Sequence, residues 1–212
     1  MKKLFILAPI LIFLSLGVCH SQEGKQWEKF EKDIIFSDLS VELLGRNFNE
    51  GTFLGDAYQI SLGYRINFDL GVSGYPGLGF FASGNNADVL ENQFLGGVFT
   101  EARLREGGVF LFYDIPVGNR LVIRPELGFG TLRVIHGFSP SHFILNYSHI
   151  FGKFNLQYPL AKISENFILS ANLGVEYGHY NGKSIIINDQ DRTYIKFASG
   201  YQISTGLLLK IH

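Results

Sequence analysis

The chain has 212 residues, 17% of them charged, and a formal net charge of −1. This balance offers no electrostatic basis for binding nucleic acid, so we predict no nucleic-acid partner. Aromatic residues make up 15% of the chain and glycine occurs 25 times, which is typical of an all-β protein rather than a helical one.

The first segment predicts an export signal, residues 1–21. Lys2 and Lys3 precede an apolar run from Leu4 to Val18, which has the length of a signal-peptide core and is short for a membrane-spanning helix. The small residues Cys19 and Ser21 suit a cleavage site after Ser21. Lipidation of Cys19 as the first mature residue is the alternative. With cleavage after Ser21 no cysteine remains, so the mature protein uses neither disulfide nor thiol chemistry.

The polar residues that follow predict a periplasmic leader at residues 22–39, and residues 40–212 are predicted to form one barrel domain. Eight segments of this domain alternate apolar and polar residues with a period of two, as strands with two different faces do. The predicted strands are Ser40–Phe48, Tyr58–Phe68, Asp69–Phe81, Val109–Ile115, Arg120–Val134, His142–Tyr158, Phe167–Tyr180 and Tyr194–Ile211.

The second predicted strand has the cleanest alternation. Its apolar residues, from Tyr58 to Phe68, occupy every second position, and the residues between them are polar or small. Tyr58 and Phe68 are about ten residues apart, which is the spacing of the two aromatic girdles on a lipid-facing strand. The closing strand carries a similar unbroken apolar face up to Ile211. These faces are predicted to contact lipid.

The connections between strands alternate in length. After strands two, four and six they are short, at residues 67–69, 116–119 and 160–166. After the other strands they are mostly longer, at residues 49–56, 82–108, 137–141 and 181–193. Short periplasmic turns and long surface loops are typical of an outer-membrane barrel with both chain ends in the periplasm, whereas a soluble ligand-binding barrel turns its apolar face inward. We therefore predict an all-β fold, an eight-stranded antiparallel up-and-down transmembrane β-barrel.

Three places depart from regular strands. Pro76 lacks a donor for the strand ladder and predicts a bend within the third strand. The alternation of the sixth strand changes phase near Ser148, which predicts a β-bulge. Residues 82–108 are the least regular, and Phe94–Leu104 is interpreted either as a loop helix or as an outward extension of the strands.

The faces opposite the apolar stripes line an interior that, with eight strands, is only wide enough for side chains to fill. We predict an interior polar network whose opposite charges pair, because an unpaired buried charge is costly. Its members are Glu42, Arg46, Arg65, Arg124, Glu126, Lys153, Glu176, Gln202 and Lys210. Inward glycines, such as Gly128 and Gly174, are expected to make room for long Arg and Glu side chains. A structural salt-bridge plug is the preferred interpretation, and an ion or proton path is the alternative.

With its N-terminal apolar run, alternating strands and closing strand, the chain resembles the small eight-stranded outer-membrane β-barrel proteins of the outer-membrane-protein-A transmembrane-domain and adhesion/opacity type. The resemblance covers about Ser40 to Ile211 and is one of pattern, without a residue-specific motif. It implies an integral, porin-like protein of the cell envelope, located in the outer membrane of a Gram-negative bacterium.

The sequence provides no coherent catalytic set. Some outer-membrane barrels of this size are lipid A deacylases or acyltransferases, which need Ser and His on one strand face. Ser148 and His149 are adjacent, so in a regular strand they point to opposite faces. His179 is followed in the next loop by Ser184, Asp189 and Asp191, but only proximity in sequence connects them. No metal-ligand spacing is found, so we predict no catalytic, metal or cofactor site.

We expect a non-enzymatic protein with a structural or surface-binding role, a closed polar interior and surface-exposed loops. Its expected partners are outer-membrane lipid and, through the loops, an extracellular ligand or envelope protein. Two alternatives stay open. One is an outer-membrane lipid-modifying enzyme, and the other is a subunit of a secretion or transport assembly.

Overall fold

The structure is a computed structural model that describes residues 35–90, 99–118, 120–137, 143–182 and 194–211. The predicted signal peptide and most of the predicted leader lie outside these residues. The elements, in chain order, are β1 Ile35–Phe48, α1 Phe53–Ala57, β2 Tyr58–Ile60, β3 Gly63–Val72, β4 Gly77–Val89, β5 Glu101–Phe112, β6 Ile115–Val117, β7 Leu121–His136, β8 Phe143–Ser164, β9 Phe167–Gly182 and β10 Phe197–Ile211. Within the described ranges, every helix is too short or too polar to cross a membrane.

Eight long strands of the described chain form a closed ring. In order around the ring they are β1, β3, β4, β5, β7, β8, β9 and β10, and each pairs antiparallel with the next. Pairing of β10 with β1 closes the ring, from Ser37 opposite Ile211 to Phe48 opposite Gly200. The short strands β2 and β6 add to β4 and β7. The predicted eight-stranded up-and-down barrel is thus confirmed.

The beginning of β1 and the end of β10 lie at the same end of the barrel. That end also carries the tight connections after β3 and β8, which span residues 73–76 and 165–166. The opposite end carries the longer connections after β1, β4 and β9. The predicted alternation of short and long connections is therefore present at these five connections. It fails at the other two, because residues 113–120, between β5 and β7, form a longer connection than residues 137–142, between β7 and β8.

The first tight turn lies further along the chain than predicted. We predicted a turn at Asn67–Asp69, but β3 continues through these residues to Val72. The chain reverses where Tyr75 N donates to Val72 O at 3.0 Å, with Gly74 at a φ of +85°. Pro76 belongs to this turn, where its missing N–H group is not needed for a hydrogen bond between strands. It therefore does not bend a strand. β1 also starts earlier than predicted, at Ile35 rather than Ser40.

Lipid-facing and interior positions alternate along each strand through the central part of the barrel. The outward positions there form a continuous apolar belt. Its members include Leu39, Val41, Leu43, Tyr64, Ile66, Phe68, Leu70, Leu78, Phe80, Val109, Leu111, Leu127, Phe129, Ile150, Phe154, Val175, Tyr177, Tyr201 and Leu207, all of which are exposed. Adjacent inward positions, such as Glu42 and Arg65, are buried. The central parts of the predicted outward stripes of β3, β7, β9 and β10 belong to this belt. Ala171 in β9 and Ile195, which precedes β10, were expected on these stripes but are buried.

Toward the end with the long loops the two faces exchange their chemistry. The outward residues become polar and form an outer polar rim, which includes Asn86, Asp88, Glu101, Arg103, Arg105, Thr131, Arg133, Asn146 and Ser148. The inward residues become apolar and form one cluster, the apolar cap, which includes Phe53, Leu54, Tyr58, Leu104, Leu132, Val134, Leu145 and Tyr147. Beyond the belt, the barrel therefore has the arrangement of a soluble β-barrel, in which the apolar side chains face the interior.

This exchange explains why two sequence predictions were wrong. Tyr58 is 4% exposed and lies inside, whereas Leu62 is 68% exposed and lies outside, so Tyr58 is not part of a lipid-facing girdle. The strand breaks at Ser61, between β2 and β3. In β8 the pairing with β7 runs without a shift from Phe143 to Gln157, so no bulge lies near Ser148. The apolar residues of β8 change face there because the belt ends.

Residues 82–108 are largely strand. β4 extends to Val89 and β5 begins at Glu101, which agrees with the predicted outward extension. The two strands pair from Gly77 opposite Phe112 up to Asp88 opposite Glu101. The remaining part of the predicted loop, residues 91–98, lies outside the described residues.

Candidate functional site

The inside of the barrel carries the chemically rich part of the molecule. The structure places all nine residues of the predicted interior network there, with 1% to 7% of each residue exposed. They lie at three levels between the end with the tight turns and the apolar cap. Inward positions on six different strands supply them, because each strand turns every second residue toward the axis.

The first level lies near the chain ends and centres on Arg124. Its Nη2 lies 2.7 Å from Asp38 Oδ2, its Nη1 lies 2.6 Å from Asp69 Oδ2, and its Nε lies 2.5 Å from Asp114 Oδ1. Lys210 Nζ lies 3.1 Å from Asp114 Oδ2. Three strands and the segment after β5 thus meet at one guanidinium group. The three aspartates were not among the predicted interior residues, because they lie before the first predicted strand, in a predicted turn or at a strand end.

The second level centres on Glu42 and Lys153. Lys153 Nζ lies 3.0 Å from Glu42 Oε2, and Asn172 Nδ2 donates to Glu42 Oε1 at 2.7 Å. Glu126 accepts a hydrogen bond from Asn155. These buried carboxylates have a cation or amide donors as partners, which offsets the cost of removing them from water.

The third level pairs two arginines with two glutamates. Arg65 Nη1 lies 2.5 Å from Glu176 Oε2, and Arg46 forms an ion pair with Glu106. Arg46 Nη2 also donates to Gln202 Oε1 at 3.3 Å. Each pair joins strands that are not neighbours in the ring, so the contacts cross the lumen. The resulting network ties opposite walls of the barrel together.

One group at the third level has the donor atoms of a metal site. One nitrogen of His149 and one carboxylate oxygen from each of Glu106 and Glu176 lie within 4.8 Å of one another. The three residues come from β8, β5 and β9. No sequence motif connects them, and Glu106 lies in residues 82–108, which the sequence predicts as a connection between strands. Only the register of the three strands brings them together.

Aromatic side chains fill the space between the charged groups. Phe36, Phe81, Phe110, Phe112 and Phe151 form one buried cluster. The guanidinium carbon of Arg65 lies 4.2 Å from the centre of the Phe81 ring, and that of Arg124 lies 4.1 Å from the centre of the Phe112 ring. Such cation–π contacts provide charged groups with partners that water would otherwise supply.

Glycines on neighbouring strands accommodate these rings. A Cβ atom at Gly128 would lie 2.1 Å from Phe151 Cζ, and one at Gly79 would lie 2.2 Å from Phe110 Cζ. In each case the glycine is the direct cross-strand partner of the phenylalanine. The predicted role of Gly128, to make room for long charged side chains, is therefore wrong. Gly174 does adjoin Lys153, whose Cε would lie 2.5 Å from its Cβ.

The apolar cap holds a neutral histidine. His136 Nδ1 lies 3.1 Å from Phe143 O, and since a carbonyl only accepts, Nδ1 carries the proton. Nε2 then accepts from the Tyr58 hydroxyl at 2.5 Å. Burial lowers the pKa of His136, although the hydrogen bond to the Phe143 carbonyl acts in the opposite direction. Burial raises the pKa of Tyr58 well above its usual range, which keeps the hydroxyl proton available to donate.

The residues considered for catalysis are not brought together within the described chain. His179 is exposed on the outer face of β9, edge-on to Tyr177 at 5.3 Å. Ser184, Asp189 and Asp191 lie outside the described residues. Ser148 faces outward and His149 is buried inside, as expected for neighbours in a strand.

Comparisons with known proteins identify the fold. No protein-family model and no curated protein matches the chain. The crystal structure of neisserial surface protein A superposes with a TM-score of 0.52 at 13% identity, covering 84% of this chain and 98% of that chain. Ail, the attachment invasion locus protein of Yersinia pestis, gives a TM-score of 0.49 at 10% identity over 86% of this chain and 100% of that chain. The chain thus has the fold of the small eight-stranded outer-membrane β-barrels.

Proposed function

We propose that the protein is an integral outer-membrane barrel of a Gram-negative bacterium, non-enzymatic, with a structural or surface-binding role. The observation that carries this proposal is the apolar belt. Soluble monomers rarely expose a contiguous apolar patch of more than a few hundred Å². The belt encircles the barrel, and within it residues such as Leu43 and Phe154 are 63% and 66% exposed. Lipid is the partner that such a surface fits.

The interior supports a closed barrel rather than a channel. Ion pairs cross the lumen at three levels, the phenylalanine cluster fills the space between them, and the apolar cap follows toward the long loops. An ion that moved through would have to displace buried, paired side chains, which is costly. We therefore infer a salt-bridge plug, and not an ion or proton path.

The asymmetry of the barrel supports an orientation. In outer-membrane barrels short turns face the periplasm and longer loops face the outside. By this rule both chain ends are periplasmic, and the outer polar rim and the long loops are on the cell surface. We propose that the loops contact an extracellular ligand or another envelope protein. An upstream signal peptide, residues 1–21, fits this route, and sequencing the N terminus of the mature protein tests its removal.

Fractionation tests the main proposal. The protein is expected in the outer-membrane fraction, and its migration on gels should change on heating, as that of folded barrels does. Recovery in the soluble periplasm would contradict the proposal. An epitope inserted between Leu90 and Phe99 should be detected on intact cells if the orientation is right. Purified protein in planar bilayers is expected to give no steady conductance.

The two alternatives have their own tests. If the protein were a lipid-modifying enzyme that used His179, a strain carrying His179→Ala would have altered lipid A. We expect the lipid A composition to be the same with and without the substitution. For a subunit of a transport assembly, purification in mild detergent should recover a stable larger partner on repetition. We expect the barrel to purify without one.

A further inference from the structure

The group formed by Glu106, His149 and Glu176 is a built site in the barrel wall. Glu106 is 5% exposed, His149 is 1% exposed and Glu176 is 2% exposed. Their strands are held by continuous pairing: β8 pairs with β7 and β9, and β5 pairs with β7. The positions of the three side chains are therefore fixed by the fold and not by a mobile loop.

Two polar atoms of this group have no hydrogen-bond partner among the described residues. Glu176 Oε1 and His149 Nδ1 are buried and make no hydrogen bond. Glu106 Oε1 lies 2.9 Å from His149 Nε2, a contact that is an ion pair when the imidazole is protonated. Buried polar atoms are nearly always satisfied in folded proteins. The unpartnered Glu176 Oε1, beside an imidazole and a second carboxylate, points to a ligand of another kind.

Neighbouring groups fix the orientation of each donor. Arg46 and Arg65 occupy the Oε2 atoms of Glu106 and Glu176, which leaves the Oε1 atoms to face the histidine. The imidazole of His149 is stacked on Tyr180, with ring centres 4.8 Å apart and planes 13° apart. Such outer contacts hold metal ligands in place in known sites.

The charge inside the barrel favours a cation. Among the described residues the interior contains seven acidic and five basic side chains. The acids are Asp38, Glu42, Asp69, Glu106, Glu126, Glu176 and the partly exposed Asp114, and the bases are Arg46, Arg65, Arg124, Lys153 and Lys210. Protons on buried carboxyls or a bound cation can offset this excess of acidic groups. Because two arginines adjoin the site, we expect weaker binding than in a site without them.

We propose that Glu106, His149 and Glu176 bind a divalent transition-metal ion inside the barrel, and that Zn²⁺ is the ion they fit best. An imidazole nitrogen and two carboxylate oxygens are ligands that Zn²⁺ accepts at about 2.0 to 2.2 Å, with water in the fourth position. Donors within 4.8 Å of one another need only a small closure to reach that geometry. Ca²⁺ is a poorer fit, since it takes six to eight oxygen ligands. The bound ion would cross-link β5, β8 and β9 at the level where the apolar belt ends.

Metal analysis tests the site directly. The full-length protein is folded into detergent micelles with ZnCl₂ present, because the buried site is most accessible before the barrel closes, and excess metal is removed by desalting. We expect about one zinc per barrel, as for a single mononuclear site. His149→Phe keeps the aromatic stack and removes the ligand, so it should retain no zinc. His179→Phe is the matched control, a histidine on the outer surface of β9, and should retain as much zinc as the wild type.

Three outcomes would overturn the proposal. Wild-type protein that retains no zinc after this treatment would contradict the site. Equal zinc in all three proteins would assign the metal to the surface. If His149→Phe fails to fold, X-ray absorption at the zinc edge of the wild type decides: one nitrogen ligand with oxygen ligands supports the site, and a different shell excludes it.

Discussion

Lys153 Nζ lies 3.0 Å from Glu42 Oε2 across the inside of the barrel, although β8 and β1 are not neighbours in the ring. Both residues are buried. The pair therefore joins two walls that backbone hydrogen bonds do not connect directly, and the network around it should resist unfolding as a unit.

The first prediction concerns this pair. Glu42→Gln leaves the ammonium group of Lys153 buried without its charged partner, which typically costs about 3–5 kcal/mol. We expect a lower free energy of unfolding by that order, measured by urea titration in lipid vesicles. Replacing both residues by Met removes both charges, so the double variant should be more stable than Glu42→Gln. A single variant as stable as the wild type would contradict a tightly packed network.

The second prediction tests the apolar belt. Val41 lies on the outward face of β1 between Leu39 and Leu43, and all three are exposed. Val41→Arg puts a charge into the lipid and should lower the free energy of unfolding in a bilayer by about 2–4 kcal/mol. Ser148→Arg, on the outer polar rim, is the matched control and should cost no more than about 1 kcal/mol, as charged residues near the interface do. Equal effects would mean that the belt does not face lipid.

The third prediction concerns pH and the apolar cap. The pKa of His136 is lowered by burial, whereas in the unfolded chain it is about 6.5. As pH falls below about 6.5, the unfolded state takes up a proton before the folded state does, so stability falls, by at most about 1.4 kcal/mol per pH unit. Above that pH the group has no effect.

Thermal unfolding between pH 7.5 and 5 measures this effect. In His136→Phe the part of the slope that His136 causes should disappear, and the control variant His179→Phe should keep it. The same slope in His136→Phe and the wild type would show that another group titrates.

The fourth prediction concerns the glycine opposite Phe151. Gly128→Ala places a methyl group where the Phe151 ring lies, and overpacking of this kind costs about 1–3 kcal/mol. Phe151→Leu alone leaves unfilled space and should also destabilise the barrel. Because the two changes compensate in volume, the double variant should lose less than the sum of the single losses. Strict additivity in urea titrations would contradict direct contact between them.

The sequence predicted the lipid-facing half of the strands well. From Leu62 to Phe68 the alternation of period two marks the outward side, because lipid and a polar interior impose opposite demands on neighbouring residues. The same alternation misled at Tyr58 and Leu145, since it reports that two faces differ and not which face is inside. Nothing in the local sequence marks where the membrane ends and the inward face changes from polar to apolar.

The interior was predictable only where a charge lay inside a recognised strand. Arg65 and Glu176 were found in that way, whereas Asp69 was lost to a misplaced turn. The convergence of Glu106, His149 and Glu176 depends on the register of strands that are up to 70 residues apart in the chain. Alternation fixes the face of each residue, but it does not fix the height at which residues of different strands meet.

The exchange of faces beyond the belt has a mechanical consequence. From Thr131 to His136 the strand continues for six residues, which are five steps along the backbone, with its apolar side turned inward. At about 3.4 Å per residue and a tilt of about 40°, this length raises the base of the loops roughly 13 Å above the lipid. The packed apolar cap makes this part of the barrel rigid. A ligand that the loops bind would therefore be held at this distance from the bilayer surface, beyond the lipid headgroups.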